Sequence, residues 1–188
     1  PLNAYGYSKH FFDQWACSQV NSNKPSPPQW CGLKFFNVYG PNEYHKNRMA
    51  SVVFHAFQQF QKEKEIRLFK SGNPDYKDGM QLRDFIYVKD AVEYVMFFLK
   101  NNHISGLFNS GTGAAQSFND LAEAVIKNTG GDKSNIKYID MPNDLKGKYQ
   151  YYTEANLDKI LSTGLNLKFK NLEEGVNDYM KNYLLTTD

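Results

Sequence analysis

Cysteine is scarce in this chain of 188 residues, with only Cys17 and Cys31, and the two are not at a metal-binding spacing. A disulfide between them is open, but two buried thiols in a reducing compartment are the preferred expectation. The four histidines, His10, His45, His55 and His103, are scattered with no HxxxH or HExxH spacing, which argues against a metal centre. Charge of one sign is also lacking: 22 basic residues face 20 acidic ones. That balance gives no reason to expect a nucleic-acid or membrane-surface partner. The longest apolar run, Val95-Met-Phe-Phe-Leu99, is far too short to span a bilayer. No secretory signal is visible, so a cytoplasmic location is expected. An initiating methionine is absent too, and the opening on Pro1 reads as a piece of a longer protein.

Aromatic residues, by contrast, make up 15% of the chain and hydrophobic residues 41%, enough for a substantial core. The spacing predicts a helix over 3–20 with Asn3 as its cap, a proline-rich loop over 21–29, and a buried strand over 30–38. A polar loop over 42–48 carries His45, Lys46 and Arg48, and a helix over 49–62 follows. Strands are expected at 66–69, 83–88, 106–109 and 136–139, and helices at 90–101, 117–129, 154–162 and 171–185. Residues 71–82 and 140–153 read as loops, the latter with a tyrosine cluster. Alternating strands and helices predict an α/β fold.

The first nine residues, PLNAYGYSK, hold a candidate chemical pair. Tyr5 and Lys9 are four apart, so on a helix they share one face. A free tyrosine titrates near about 10 and is a poor base at neutral pH. A nearby ammonium favours the phenolate and makes the tyrosine a plausible acid/base for a sugar or alcohol hydroxyl. The bland alternative is an ordinary amphipathic helix start.

Gly111-Thr-Gly-Ala-Ala-Gln116 follows an expected strand and precedes an expected helix. It resembles half of the G-x-G-x-x-G dinucleotide fingerprint, but the third glycine is missing and so is the acidic residue downstream. A plain strand-to-helix turn is the better reading. Arg83-Asp84 is either a structural ion pair or a phosphate clamp. Lys146 and Lys148 are either a solvated basic turn or contacts to an anionic substrate. Ser8, Ser51 and Ser117 lack any nucleophile-elbow context. Glu173-Glu174 suits the dipole of a helix start.

Taken in order, PLNAYGYSK at 1–9, FFNVYGP at 35–41 and RDFIYVKD at 83–90 resemble the extended short-chain dehydrogenase/reductase superfamily. EYHKNRMASVVFH at 43–55 and LKGKYQ at 145–150 narrow the likeness to the ADP-glyceromanno-heptose 6-epimerase family of lipopolysaccharide core synthesis. The resemblance runs through nearly the whole chain and corresponds to the C-terminal part of those enzymes. It implies the C-terminal portion of a Rossmann-type NAD(P)-binding fold over 1–47, then a small α/β substrate-binding lobe over 48–188. Residues 83–113 would return in part to the first domain.

The resemblance also implies roles. Tyr5 matches the catalytic tyrosine, Lys9 its partner and a cofactor contact, and Lys46 a second acid/base that also lies near the cofactor. Val38 falls at a cofactor position. Asn37, Arg48, His55 and Tyr149 fall at substrate positions. Phe69, Lys70, Ser71 and Gly72 line the ADP moiety, and Arg83 grips the diphosphate. The implied cofactor is NADP, the substrate an ADP-sugar inverted at C6 by oxidation and re-reduction, and the assembly a homo-oligomer, often a pentamer. Lys46 suits its role if burial lowers its pKa. Asn47 departs from the pattern by standing where a glycine is expected, and Arg48 where some members carry serine. Another nucleotide-sugar epimerase or dehydratase stays open, as does a non-catalytic fragment that binds NADP weakly. Phe12 and Trp15 are expected to stay exposed when this stretch stands alone.

Overall fold

A computed structural model describes residue 1, residues 3–143, residue 145 and residues 149–186. The first helix, α1 (Ala4–Asn21), begins where Asn3 accepts a hydrogen bond from the Gly6 amide at 2.8 Å. No residue of α1 is buried, and Tyr5, Phe12 and Trp15 stand 72%, 64% and 57% exposed. An ion pair from Lys34 to Asp13 ties it to the strand that follows.

The single strand expected over 30–38 is two, β1 (Cys31–Phe35) and β2 (Asn37–Tyr39). Phe36 is where the chain changes partners: its amide donates to Ser110 O, and the next amide, Asn37, donates to Asp84 O. The expected polar loop contains a 3-10 helix over Tyr44–Met49. The following helix, α2 (Val52–Glu63), starts later than expected because Ser51 caps it through the Phe54 amide. It stops at Lys64, whose φ of 57° is left-handed. Next come β3 (Ile66–Phe69), β4 (Leu82–Arg83) and β5 (Phe85–Tyr87). The strand expected over 83–88 breaks at Asp84, and α3 (Val88–Lys100) begins directly after Tyr87.

Further on, β6 (Gly106–Ser110) and β7 (Gln116–Ser117) precede α4 (Phe118–Thr129). Both reciprocal bonds of a capping box between Ser117 and Asp120 are made, and Gly130 at φ 78° ends the helix. The chain closes with β8 (Ile136–Ile139), β9 (Tyr152–Thr153), α5 (Asp158–Leu161) and α6 (Leu172–Tyr179). β9 lies in what was expected to be loop. The helix expected over 154–162 shrinks to α5, while the one expected over 171–185 continues from α6 into a π-helical turn, Met180–Leu184.

Parallel pairing dominates: β1 with β6, β2 with β5, and β3 with β8. In the three-stranded sheet, β4 is antiparallel to β7 and parallel to β9. Parallel strands need crossovers, and the helices between them supply the covering layer. Two apolar clusters result. One joins Val53, Phe60, Ile66, Leu121, Val125, Val176 and Tyr179. The other gathers Ile86, Tyr94, Phe98, Phe108, Ile160 and Leu165 under α3. Each such side chain contributes about 1.5–3 kcal/mol when fully buried. α6 approaches β2 so closely that a Cβ on Gly175 would sit 2.0 Å from the Tyr39 hydroxyl. Among the described residues, no helix is long and apolar enough to cross a membrane. Cys17 and Cys31 are free and only half-buried, which corrects the expectation of two buried thiols.

Candidate functional site

The candidate residues fall into three groups, each positioned by a different device. On α1, helical spacing sets Lys9 Nζ 5.2 Å from the centre of the Tyr5 ring. Both side chains are open to solvent, and no described carboxylate pairs with Lys9. A cation over a ring face is favoured by the ring quadrupole. The arrangement leaves the Tyr5 hydroxyl free to meet a ligand.

The second group hangs from the end of β2. Asn37 is exposed and Val38 half-buried on that parallel strand, paired with Phe85 and Ile86. The chain then enters the 3-10 helix, whose exposed face carries Lys46 and Arg48. Lys46 is therefore solvated in this chain, which corrects the expectation of a desolvated lysine: its turn lies on the surface and no described element covers it. Between the two cations, Asn47 takes φ 48° and ψ −129°, a region that glycine adopts freely and other residues avoid. The position where a glycine was expected thus keeps a glycine-like backbone. His55 is half-buried on the first turn of α2, its amide donating to Ser51 O and its ring 6.4 Å from that of Phe54.

Glu43 was not anticipated. It is 4% exposed and accepts from Ser51 N, Ser51 Oγ, Gly40 N and the Tyr179 hydroxyl. Burial, together with the Glu43 charge, pushes the Tyr179 phenol well above its ordinary range. Gly40 and Ser51 are near Glu43 in the chain, but the Tyr179 hydroxyl that completes its shell comes from 136 residues away, which no sequence signal marks.

The third group lies around β4. Arg83 is buried and donates to Leu82 O at 2.8 Å and to Gln150 O. Its guanidinium carbon lies 5.2 Å from the Tyr149 ring centre and 5.7 Å from that of Phe118. Among the described residues no carboxylate is in ion-pairing reach of it. Burial pulls its pKa down, and the neighbouring Tyr149 opposes that shift. An arginine titrates so high that it stays charged at neutral pH. Tyr149 in turn meets Phe69 edge-on at 6.4 Å and Tyr151 at 5.5 Å. The Tyr151 hydroxyl accepts from Gly72 N at 3.1 Å, and Tyr76 packs on the Tyr151 ring at 5.3 Å. Ser71 is held by its amide to Asp78 and by its hydroxyl to Asn73 O. Lys70 is exposed and pairs with Asp140 at 3.0 Å.

Phe69, Gly72, Arg83 and Tyr149 are thus joined through ring contacts and hydrogen bonds. Tyr76, Tyr151 and Phe118 belong with them but were not picked out. The tyrosine cluster pointed to Tyr151, whereas nothing in the sequence signals Tyr76. No hydrogen bond, ion pair or ring contact among the described residues joins this group to the other two. Lys146 and Lys148 lie outside the described residues.

Asp84 settles two open sequence readings. It is fully buried and does not pair with Arg83. Its carboxylate accepts from Thr112 N and Thr112 Oγ1 at 2.7 Å, from Gly113 N at 2.9 Å and from Ala155 N at 3.1 Å. The approach is close enough that a Cβ on Gly111 would sit 2.5 Å from Asp84 Oδ2. The amides of the Gly111-Thr-Gly turn are therefore spent on an internal carboxylate and cannot cradle a phosphate. A surface groove of about 560 Å³ between α4 and α6, lined by Asp120, Glu123, Lys127, Lys133 and Glu173, contains none of the candidate residues.

The site thus combines a buried cation without a carboxylate, set against the Tyr149 and Phe118 rings, with parallel strands and a Tyr-xxx-Lys helix. The NAD dependent epimerase/dehydratase family model matches residues 1–111, and the chain belongs to that family. All of it is 52% identical to ADP-L-glycero-D-manno-heptose-6-epimerase of Fusobacterium nucleatum, covering 57% of that relative. It is 49% identical to the Nitratidesulfovibrio vulgaris protein of the same name, covering 56%. The chain thus spans little more than half the length of the curated relatives it matches. The fold matches the crystal structure of Helicobacter pylori ADP-L-glycero-D-manno-heptose-6-epimerase with a TM-score of 0.79 at 30% identity, over 99% of this chain and 52% of that one. A Thermus thermophilus UDP-glucose 4-epimerase solved with NAD shares the fold at TM-score 0.76 and 22% identity, over 100% of this chain and 56% of that one.

Proposed function

We propose that this chain supplies the substrate-gripping part, and both acid/base groups, of an NADP-dependent epimerase acting at C6 of the heptose in ADP-glycero-manno-heptose. Arg83 is the observation that carries the nucleotide part of this reading: a buried guanidinium, satisfied only by carbonyls and rings among the described residues, has an electrostatic vacancy that a diphosphate fills. The 52% likeness to heptose epimerases over the whole chain supports the sugar. In this reading Phe69, Lys70, Ser71, Gly72 and Tyr149 line the ADP, while Asn37, Arg48 and His55 meet the sugar. Residues 1–47 then belong to a Rossmann-type unit and 48–188 mainly to a substrate lobe. The parallel pairing of β1 with β6 and β2 with β5 supports a partial return of 83–113 to the first unit.

The donor set fits a nicotinamide dinucleotide. Lys9 and Lys46 are exposed cations with no ion pair among the described residues, and Val38 lies on a parallel strand of the kind whose ends receive such ligands. A nicotinamide held by Lys9, Val38 and Lys46 supplies the hydride acceptor and donor needed to turn a hydroxyl carbon into a carbonyl and back. Tyr5 takes or returns the hydroxyl proton in one sugar orientation, with the Lys9 ammonium stabilising its phenolate. Lys46 does so in the other orientation, losing its hydration when substrate covers the exposed turn. Arg83 holds the diphosphate while the sugar end changes face, so the reaction begins and ends at the same oxidation level.

Because Asp84 takes the Thr112 and Gly113 amides, we infer that this glycine turn does not hold the NADP phosphates. In a polypeptide of the relatives' full length, Tyr5→Phe combined with Lys46→Met abolishes interconversion of the two ADP-heptose epimers. Wild-type-like turnover in that double variant overturns the assignment, and faster turnover of UDP- or GDP-sugars redirects it to another member of the family.

A further inference from the structure

We propose that Glu43 is a positioning residue for the Lys46 turn, a role that rests on the reading of Lys46 as an acid/base. Water is almost excluded from Glu43, and among the described residues no cation is in ion-pairing reach of it. Holding a carboxylate in such a place is costly, and the cost is tolerable only where donors saturate it. Here they do. Oε1 accepts from Gly40 N at 3.4 Å, Ser51 Oγ at 2.7 Å and the Tyr179 hydroxyl at 3.2 Å, while Oε2 accepts from Ser51 N at 2.5 Å.

The identity of those donors gives the carboxylate its function. Gly40 and Ser51 are the two ends of the segment that carries Lys46 and Arg48, so one side chain closes that loop at its base. Tyr179, from α6, fixes the closure to the core, where it is fully buried. Ser51 is also the cap of α2 and receives the His55 amide, so Glu43 fixes the relation of His55 to the two cations. Inside the loop, the Lys46 amide donates to Glu43 O at 3.0 Å and the Ala50 amide to Asn47 O at 3.0 Å. The Lys46 side chain is solvated and has no hydrogen bond or ion pair among the described residues, so its placement derives from this base. An exposed lysine that must meet one hydroxyl needs such a fixed support.

The test uses a polypeptide of the relatives' full length and compares Glu43→Gln, Tyr179→Phe and Lys46→Met. Misplacement by about an ångström costs up to 10²-fold in turnover, so Glu43→Gln is expected to lower kcat about tenfold or more. Tyr179→Phe removes one donor without touching the charge, and is expected to lower kcat about threefold, the loss of a single hydrogen bond's restraint. In both, ADP affinity measured by calorimetry stays within about twofold, because the diphosphate is held elsewhere, at Arg83. A general loss of structure would weaken ADP binding and lower kcat together. If Glu43→Gln does not fold, Tyr179→Phe decides alone. Wild-type kcat in Tyr179→Phe and in any folded Glu43→Gln, or ADP affinity falling in step with the kcat loss, overturns the proposal while loss of activity in Lys46→Met leaves the acid/base reading standing. Wild-type kcat in Lys46→Met overturns that reading, and the positioning role with it.

Discussion

Around Asp84 the protein spends its donors: three backbone amides and a hydroxyl converge on one buried carboxylate, which draws the 111–113 turn and Ala155 together. One residue earlier, the region around Arg83 does the reverse. Its guanidinium is also buried, but meets only two carbonyls and the faces of Tyr149 and Phe118. The same division recurs in the 40–51 loop, where Glu43 is saturated from within while Lys46 and Arg48 face outward. Internal anions here are fastenings, and the open cations are what remains to meet a ligand. The difference that matters is one of unsatisfied capacity.

Removing Asp84 is the strongest way to break that contrast. Asp84→Ala leaves the Ala155 amide buried, and the Thr112 and Gly113 amides part-buried, without their acceptor, a fully buried one costing about 1–3 kcal/mol. A loss of about 3 kcal/mol or more is expected in urea unfolding, with Asp84→Asn losing less because its carbonyl still accepts. An Asp84→Ala variant within about 1 kcal/mol of wild type would mean that the turn finds other acceptors and that the carboxylate is not its fastening.

Arg83→Gln probes the other side. Charged hydrogen bonds contribute about 1.5–3 kcal/mol, so ADP affinity measured by calorimetry is expected to fall about 10- to 100-fold. Thermal stability should shift little, since losing a desolvated charge offsets the lost contacts to Leu82 and Gln150. Unchanged ADP affinity combined with a large fall in stability would make Arg83 a fastening like Asp84 and erase the distinction.

What the sequence made legible follows the same line between local and distant. Helical spacing alone predicts that Lys9 reaches the Tyr5 ring, and Ser117 three residues before Asp120 predicts the cap of α4, because each depends on neighbours along the chain. Alternation of strands and helices gives the α/β class for the same reason. The break between β1 and β2 is not legible, since it is imposed by Ser110 and Asp84, which lie far along the chain from Phe36. Nor is the role of Asp84, because its donors lie 28, 29 and 71 residues away and the sequence offers only an Arg-Asp dipeptide. Glu43 is hidden in part for that reason: Gly40 and Ser51 lie close by, but Tyr179 is 136 residues distant. For Lys46 the chemistry expected of a base suggested burial, whereas a surface 3-10 helix leaves it solvated. Motif resemblance reached Arg83 and Tyr149 but passed over Tyr76, which sits in a turn-rich loop with no periodicity to mark it.

The smallest expected effect concerns the residue between the open cations. Asn47 at φ 48° and ψ −129° sits outside the left-handed basin that asparagine tolerates, in a region suited to glycine. Strain of this kind costs about 1–3 kcal/mol. Glycine relieves it but gives back roughly 0.5–1 kcal/mol in chain entropy. Asn47→Gly is therefore expected to stabilise the protein by about 1 kcal/mol, a rise in Tm of roughly 2–4 °C for a chain of this size. The backbone of the turn is unchanged by the substitution, so the display of Lys46 and Arg48 should be too, and turnover with it. A variant that gains stability but loses kcat would show that the asparagine side chain, and not merely the backbone it occupies, helps hold the cations open. In that case the division between fastened anions and free cations would have to admit a neutral residue on the side of the site.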